Sequence, residues 1–209
     1  MNIKLTNRDL LVIQFVAEQG PTRISTITKY LELNNMPTDS RRLRRIIEKL
    51  EKFGYLHRKQ ILAGSAIAWP TNLGLKTAGF SGLKKGKSIP SMELLLHSLQ
   101  VAEVRLVYEA NGAKWNCERS ITNYFPNHLP DGLAIYKDQK IVVEVDRTRK
   151  NKDRLISIMK INALAFSNDA YVDYWAPKEL VQFIVANKQL LPDKFQKVIR
   201  VFEIPGEMS

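Results

Sequence analysis

The sequence predicts a mixed α/β chain (α+β overall) in two parts. Three observations predict it. Residues 1–80 show three stretches of helical apolar spacing followed by two short strands. Residues 93–209 read helix, strand, strand, strand, helix, strand, helix, strand, an order that builds a central mixed sheet with helices packed on it. The charge divides the same way. Residues 1–90 carry 16 Lys+Arg against 6 Asp+Glu, whereas residues 91–209 carry 16 against 15.

The first part starts at Thr6-Asn7-Arg8-Asp9, with Thr6 or Asn7 as cap and Leu10, Ile13 and Val16 or Ala17 following at helical spacing. Gly20-Pro21 stops that helix. Thr22 caps a second, with Ile24, Ile27, Tyr30 and Leu31 as its buried stripe. Asn34 to Pro37 form a turn. Thr38 or Asp39 caps a third helix that runs to about Phe53 and ends at Gly54. Leu43, Ile46, Ile47, Leu50 and Phe53 share one face of it. Arg41, Arg45 and Lys49 recur every four residues on another, flanked by Arg42 and Arg44, so the apolar stripe docks and the basic stripe stays wet. Residues 55–62 and 66–70, joined at Ala63-Gly64-Ser65, read as a hairpin carrying Arg58 and Lys59.

Three helices and a hairpin make the winged-helix order. In helix-turn-helix relatives the third helix enters the major groove and the wing touches backbone. Double-stranded DNA is the expected partner, through Arg41, Arg42, Arg44, Arg45, Lys49, Arg58 and Lys59. A membrane surface is the competing polyanion, but no basic amphipathic helix with an aromatic-rich apolar face supports it. Residues 81–92, basic and glycine-rich at their start, read as a linker to a second domain over 93–209.

Composition excludes several classes. No apolar run approaches the ~20 residues that span a bilayer, and Met1 to Leu5 lacks a signal peptide's apolar core. The single cysteine, Cys117, rules out an internal disulfide framework and a cysteine-cluster zinc site, and fits a cytoplasmic home. The three histidines, His57, His97 and His128, are scattered, which leaves zinc-hydrolase pairs without ligands. No phosphate-cradling glycine loop and no nucleophile elbow appears.

In the second part, Asp131 to Tyr136 and Ile141 to Asp146 are expected strands joined by residues 137–140. Side chains alternate between faces along a strand. If Tyr136 pairs with Ile141, Asp131 faces Asp146, and Glu144 lies two residues along on the same face. Three carboxylates then converge, and a hard divalent cation, Mg²⁺ or Mn²⁺, relieves their repulsion.

Pro130-Asp131 followed by Glu144-Val145-Asp146 resembles the restriction-endonuclease-like superfamily, whose pattern is Pro-Asp, then an acid, any residue and lysine. Here Asp146 stands in the lysine place. Some branches draw the basic group from the following helix, where Lys160 stands among Ile156, Ala163 and Leu164. Arg147, Arg149, Lys150 and Lys152 read as a solvated charge run able to touch phosphate.

Joined to a winged helix, this domain resembles the replication-relaxation family, including the MOBC class of plasmid relaxases. The likeness rests on Thr6-x-Arg8-Asp9-Leu10, Arg41-Arg42-Leu43, Gly54-Tyr55-Leu56, His97-Ser98-Leu99, Ala102-Glu103-Val104-Arg105, Trp115 with Glu118, Leu129-Pro130-Asp131, Val143-Glu144-Val145-Asp146-Arg147 and Lys160. The resemblance implies a bacterial, DNA-associated endonuclease that nicks a plasmid or mobile-element origin, with an accessory mobilisation protein as a further partner. It implies Asp131, Glu144 and Glu118 as the main metal-site acids, Asp146 assisting, and Lys160 as the catalytic lysine that orients a water or phosphate. Glu103, His97, Tyr124 and Tyr136 are secondary candidates. The alternative is a non-catalytic regulator or origin-binding protein whose nuclease-like domain serves dimerisation or DNA contact. A homodimer is compatible with either.

Overall fold

The computed structural model describes residues 3–62, 65–80, 91–166 and 170–205. The chain divides into two compact units, Met1–Ala102 and Glu103–Ser209. The expected turn at Ala63-Gly64 and residues 81–90 of the expected linker lie outside the described residues. No described helix is long and apolar enough to cross a membrane.

Unit 1 holds α1 (Asn7–Gln19), β1 (Thr22–Arg23), α2 (Ile24–Leu33), α3 (Ser40–Lys52), β2 (Leu56–Leu62), β3 (Ser65–Pro70) and α4 (Asn72–Thr77). The strands form a three-stranded antiparallel sheet in the order β1-β3-β2. Helix α1 opens on a capping box: Thr6 Oγ1 accepts from the Asp9 amide, and the Asp9 carboxylate accepts from the Thr6 amide. Gly20 then takes a φ of 84°, which a side chain resists, and Pro21 forbids further helix. The chain therefore leaves extended, and Thr22 and Arg23 pair with β3 rather than capping α2 as the sequence suggests. Asp39 caps α3 by accepting from the Arg42 amide. Phe15, Ile27, Leu31, Leu43, Ile47 and Leu50 are fully buried, each stabilising the unit by roughly 1.5–3 kcal/mol relative to exposure.

Helix α5 (Met92–Ala110) runs across the division between the units. Its first half packs Leu95 and Leu99 with Ile67 and Trp69 of unit 1. Its second half belongs to unit 2.

Unit 2 continues with β4 (Lys114–Cys117), two short 3-10 turns over 118–124, β5 (Gly132–Tyr136), β6 (Gln139–Val145), α6 (Lys152–Leu164), β7 (Ala170–Ala176), α7 (Lys178–Lys188), α8 (Asp193–Val198) and β8 (Ile199–Glu203). The five strands lie in sequence order. They are antiparallel from β4 to β6 and parallel from β6 to β8. One face carries Leu133, Val142, Val172 and Tyr174 into a core with Leu155, Ile158 and Met159 of α6, Ile184 of α7 and Phe195 of α8. The other face carries Trp115, Asp173 and Trp175, against which Tyr108 of α5 packs.

The β5–β6 connection is tighter than the sequence reading expects. Lys137 and Asp138 both have positive φ, 47° and 68°, as a two-residue hairpin turn requires. Tyr136 therefore pairs with Gln139, not Ile141, and Gly132 with Val143. Extended by one residue, that register sets Asp131 across from Glu144 rather than Asp146. The slip is an even number of residues, so each side chain keeps its face. Gly132 itself is obligatory: a Cβ there would lie 2.0 Å from the Trp115 ring. The indole thus covers the strand immediately after Asp131.

Candidate active site

The site in unit 2 grows from the ends of β5 and β6. Asp131 and Glu144 lie on the same face of the sheet, facing α6. The Val145 amide donates to Asp131 Oδ2 at 2.7 Å, tying the carboxylate to the neighbouring strand. Glu144 is only 3% exposed. An ionised carboxylate at that depth costs several kcal/mol unless it is paired and hydrogen-bonded. Two groups bond its Oε1: His128 Nε2 at 2.7 Å and Asn162 Nδ2 of α6 at 2.9 Å. The Lys150 ammonium lies 3.9 Å from Oε2 and bonds Asp146 Oδ1. Asp146 is also buried, and its amide donates to the Trp175 carbonyl.

Burial pushes the Glu144 carboxyl above its usual range. The hydrogen bond from His128 opposes that rise, and the nearby charge of Asp131 adds to it. His128 is raised as well, chiefly through its bond to Glu144. The Tyr174 phenol is raised well above its ordinary value by burial and then by the carboxylates of Glu144, Asp146 and Asp131. Tyr174 is fully buried, and its hydroxyl completes no hydrogen bond, though Asn162 lies beside it.

Several expected residues stand elsewhere. Lys160 is exposed: α6 turns Leu155, Ile158, Met159 and Asn162 inward, and Lys160 falls on the outward side, two residues and about 200° from Asn162. Glu118 is exposed in the first 3-10 turn, because β4 ends at Cys117 and the chain turns off the sheet there. Tyr124 and Tyr136 are exposed, 60% and 40%. Glu103 is half-buried on α5. Tyr108 of the same helix meets the sheet on the face opposite Glu144. His97 lies in unit 1. Among the described residues, no three His, Cys, Asp or Glu side chains are grouped as a metal site. The four-acid set of Asp131, Glu144, Asp146 and Glu118 is thus not assembled.

Sequence reasoning missed His128, Lys150 and Asn162. Scatter along the chain says nothing of which histidine a loop returns to the sheet. Lys150 was legible only as one of a charge run. Asn162 had a signal: a polar residue at a position of α6 in phase with Leu155, Ile158 and Met159.

The pair Asp131 and Glu144 fits a divalent cation of the Mg²⁺ type, which binds through one or two carboxylates and leaves its other positions to water and phosphate. The orphaned hydroxyl of Tyr174 beside the acids is a further polar atom lacking a partner.

In unit 1, Arg41, Arg42, Arg44 and Arg45 are exposed along α3, and Lys59 is exposed on β2. Two of the expected DNA contacts have structural employment. Lys49 bonds the buried Asp9 at 2.5 Å, so it anchors α3 to α1 and leaves the basic stripe. Arg58 pairs with Glu48 and Glu51 at 3.4 and 3.2 Å. Arg44 pairs with Glu48 at 2.9 Å. Between α3 and the hairpin runs a groove of 590 Å³ lined by Arg44, Arg58, Lys59, Gln60 and Glu51 among others.

Compared with known proteins, the chain matches no family model, no curated protein and no solved structure.

Proposed function

We propose that unit 1 is a winged-helix module that grips double-stranded DNA through α3, and that unit 2 is a restriction-endonuclease-like domain that nicks DNA with Mg²⁺ or Mn²⁺, at a plasmid or mobile-element origin. One observation carries the cleavage reading: Asp131, one residue ahead of β5, and Glu144 of β6 share one face of the sheet, with a lysine ammonium beside Glu144. Asp131 and Glu144 would hold the cation. When bound, it would polarise the scissile phosphate and activate a water. Lys150, from the end of the loop into α6, takes the place expected of Lys160 and can stabilise charge on the phosphate. On α3, the exposed Arg41, Arg42 and Arg45 present guanidinium forks suited to base edges and phosphates.

A second reading, a non-catalytic origin-binding or regulatory protein, is favoured by the ion pairs themselves. Lys150, and His128 when protonated, already pair with the carboxylates of Glu144 and Asp146. Supercoiled plasmid carrying the cognate origin, incubated with the protein and Mg²⁺ or Mn²⁺, separates the two. Open circles that disappear with Glu144→Ala support cleavage. Salt-sensitive binding without cleavage at any metal concentration supports the regulator.

A further inference from the structure

The contacts of Glu144 are uneven. A carboxylate oxygen accepts two hydrogen bonds comfortably, and Oε1 receives both of the short ones, from His128 Nε2 at 2.7 Å and Asn162 Nδ2 at 2.9 Å. Oε2 has Lys150 Nζ at 3.9 Å, beyond hydrogen-bond reach. The terminal torsion of a glutamate is broad and two-fold, so one hydrogen bond leaves the carboxylate free to rock. Two donors converging on one oxygen from separate elements, a loop and α6, remove that freedom. The direction of the Asn162 amide follows from chemistry: an ionised carboxylate only accepts, so the NH₂ end must face it. Asn162 is fully buried, and its Oδ1 makes no hydrogen bond. Tyr174, also fully buried, brings an unpartnered hydroxyl to the same place. The two polar groups lie side by side beneath Glu144.

We infer that His128 and Asn162 are positioning residues that clamp Glu144 Oε1 and so leave Oε2 to a divalent cation shared with Asp131. The inference rests on the cleavage reading above and adds the two residues that make its acid competent. Outer groups of this kind set the aim of a ligand without touching the ion, and their loss weakens metal binding about 10–100-fold. Nothing in the sequence pattern of paired acids includes them.

The test measures Mn²⁺ binding by the full chain, by calorimetry and by the electron spin resonance signal of free Mn²⁺, with no DNA present. His128→Ala and Asn162→Ala should each raise the Mn²⁺ dissociation constant about 10–100-fold. His128→Gln, whose amide nitrogen can stand where Nε2 stood, should recover affinity to within about threefold of the parent protein. Because His128 is on a partly exposed loop, its variants keep the test valid should Asn162→Ala fail to fold; circular dichroism checks each. Wild-type affinity in both alanine variants overturns the inference and leaves the cleavage reading standing. The same holds if His128→Gln binds no better than His128→Ala. A parent protein that binds no Mn²⁺ removes the inference and the metal-dependent reading together.

Discussion

Glu144 and Asp173 are both buried carboxylates, on neighbouring strands of one sheet and on opposite faces. Their surroundings differ. Arg200 grips Asp173 in a two-point fork, Nε to Oδ1 at 2.6 Å and Nη2 to Oδ2 at 2.9 Å, and the Tyr108 hydroxyl donates to Oδ2 at 2.5 Å. Both oxygens of Asp173 are engaged, and the guanidinium lies over the Tyr171 ring at 4.4 Å. Glu144 has both short bonds on one oxygen, a second carboxylate facing it, and an unpartnered phenol nearby. A buried acid satisfied on every side acts as a staple. A buried acid with one oxygen held by two donors and the other left without a hydrogen bond, a lysine ammonium 3.9 Å away, is only half satisfied.

The largest expected effect tests the active half of that comparison. Asp131→Ala should lower the rate of metal-dependent nicking about a thousandfold, some 4 kcal/mol of barrier, with DNA affinity measured by anisotropy unchanged. Undiminished nicking would place the chemistry elsewhere. Next comes the staple. Asp173→Ala leaves Arg200 and Tyr108 without their acceptor and should destabilise the protein by about 3 kcal/mol, since Arg200 is partly exposed and pairs of this kind otherwise cost more to break. Chemical denaturation measures it. Nicking by the still-folded variant should persist at low temperature; its loss there would erase the distinction between the two acids.

A smaller effect concerns unit 1, where cations are exposed instead of buried. Arg41→Ala and Arg45→Ala should each weaken DNA binding by about 1–3 kcal/mol for a lost base contact, read in a salt titration. Equal affinity would show that α3 is not the reading helix. Asp9 sharpens the same contrast. Burial alone would raise its carboxyl, but bonds from Lys49 and Thr6 outweigh burial and hold it below its ordinary value. A depressed carboxyl stabilises the fold above the unfolded-state value of 3.8 and loses that contribution as pH falls through the folded value. Melting temperature followed below pH 4 should therefore fall less steeply in Asp9→Asn, which starts less stable at pH 7, than in the parent. Parallel curves would mean that the Asp9–Lys49 pair contributes nothing. The smallest expected effect is that of Lys160→Ala, an outward-facing change within about 0.5 kcal/mol in stability and without influence on nicking.

How far the site was legible depends on what each residue's position reports. Glu144 sits on a strand and Asp131 one residue ahead of one, where period-two alternation assigns faces even when the hairpin register is misjudged by two residues. Their common face survived the correction from Asp146 to Glu144 as the opposing acid. Lys160 was misplaced because three apolar neighbours in sequence do not define the buried stripe of α6, in which Leu164 is exposed and Asn162 is not. Lys49 looked like a DNA contact by its four-residue spacing from Arg45. Its partner, Asp9, lies 40 residues away, and in the sequence Asp9 stands only among the residues that start α1.

By itself the sequence determined what depends on neighbours along the chain: the helix starts at Thr6 or Asn7 and at Thr38 or Asp39, the break at Gly20-Pro21, the amphipathic α3, the alternation of the β5–β6 hairpin, and the concentration of positive charge in the first 90 residues. Tertiary structure decided the rest. It ended β4 at Cys117, set Lys150 beside Glu144 and Asp146 while Lys160 faces outward, folded His128 back onto Glu144, and left Asn162 and Tyr174 under the acids. Local propensity and periodicity act over a few residues. Which oxygen of a buried carboxylate is spent, and which remains, follows from donors contributed by strands, loops and helices distant in sequence.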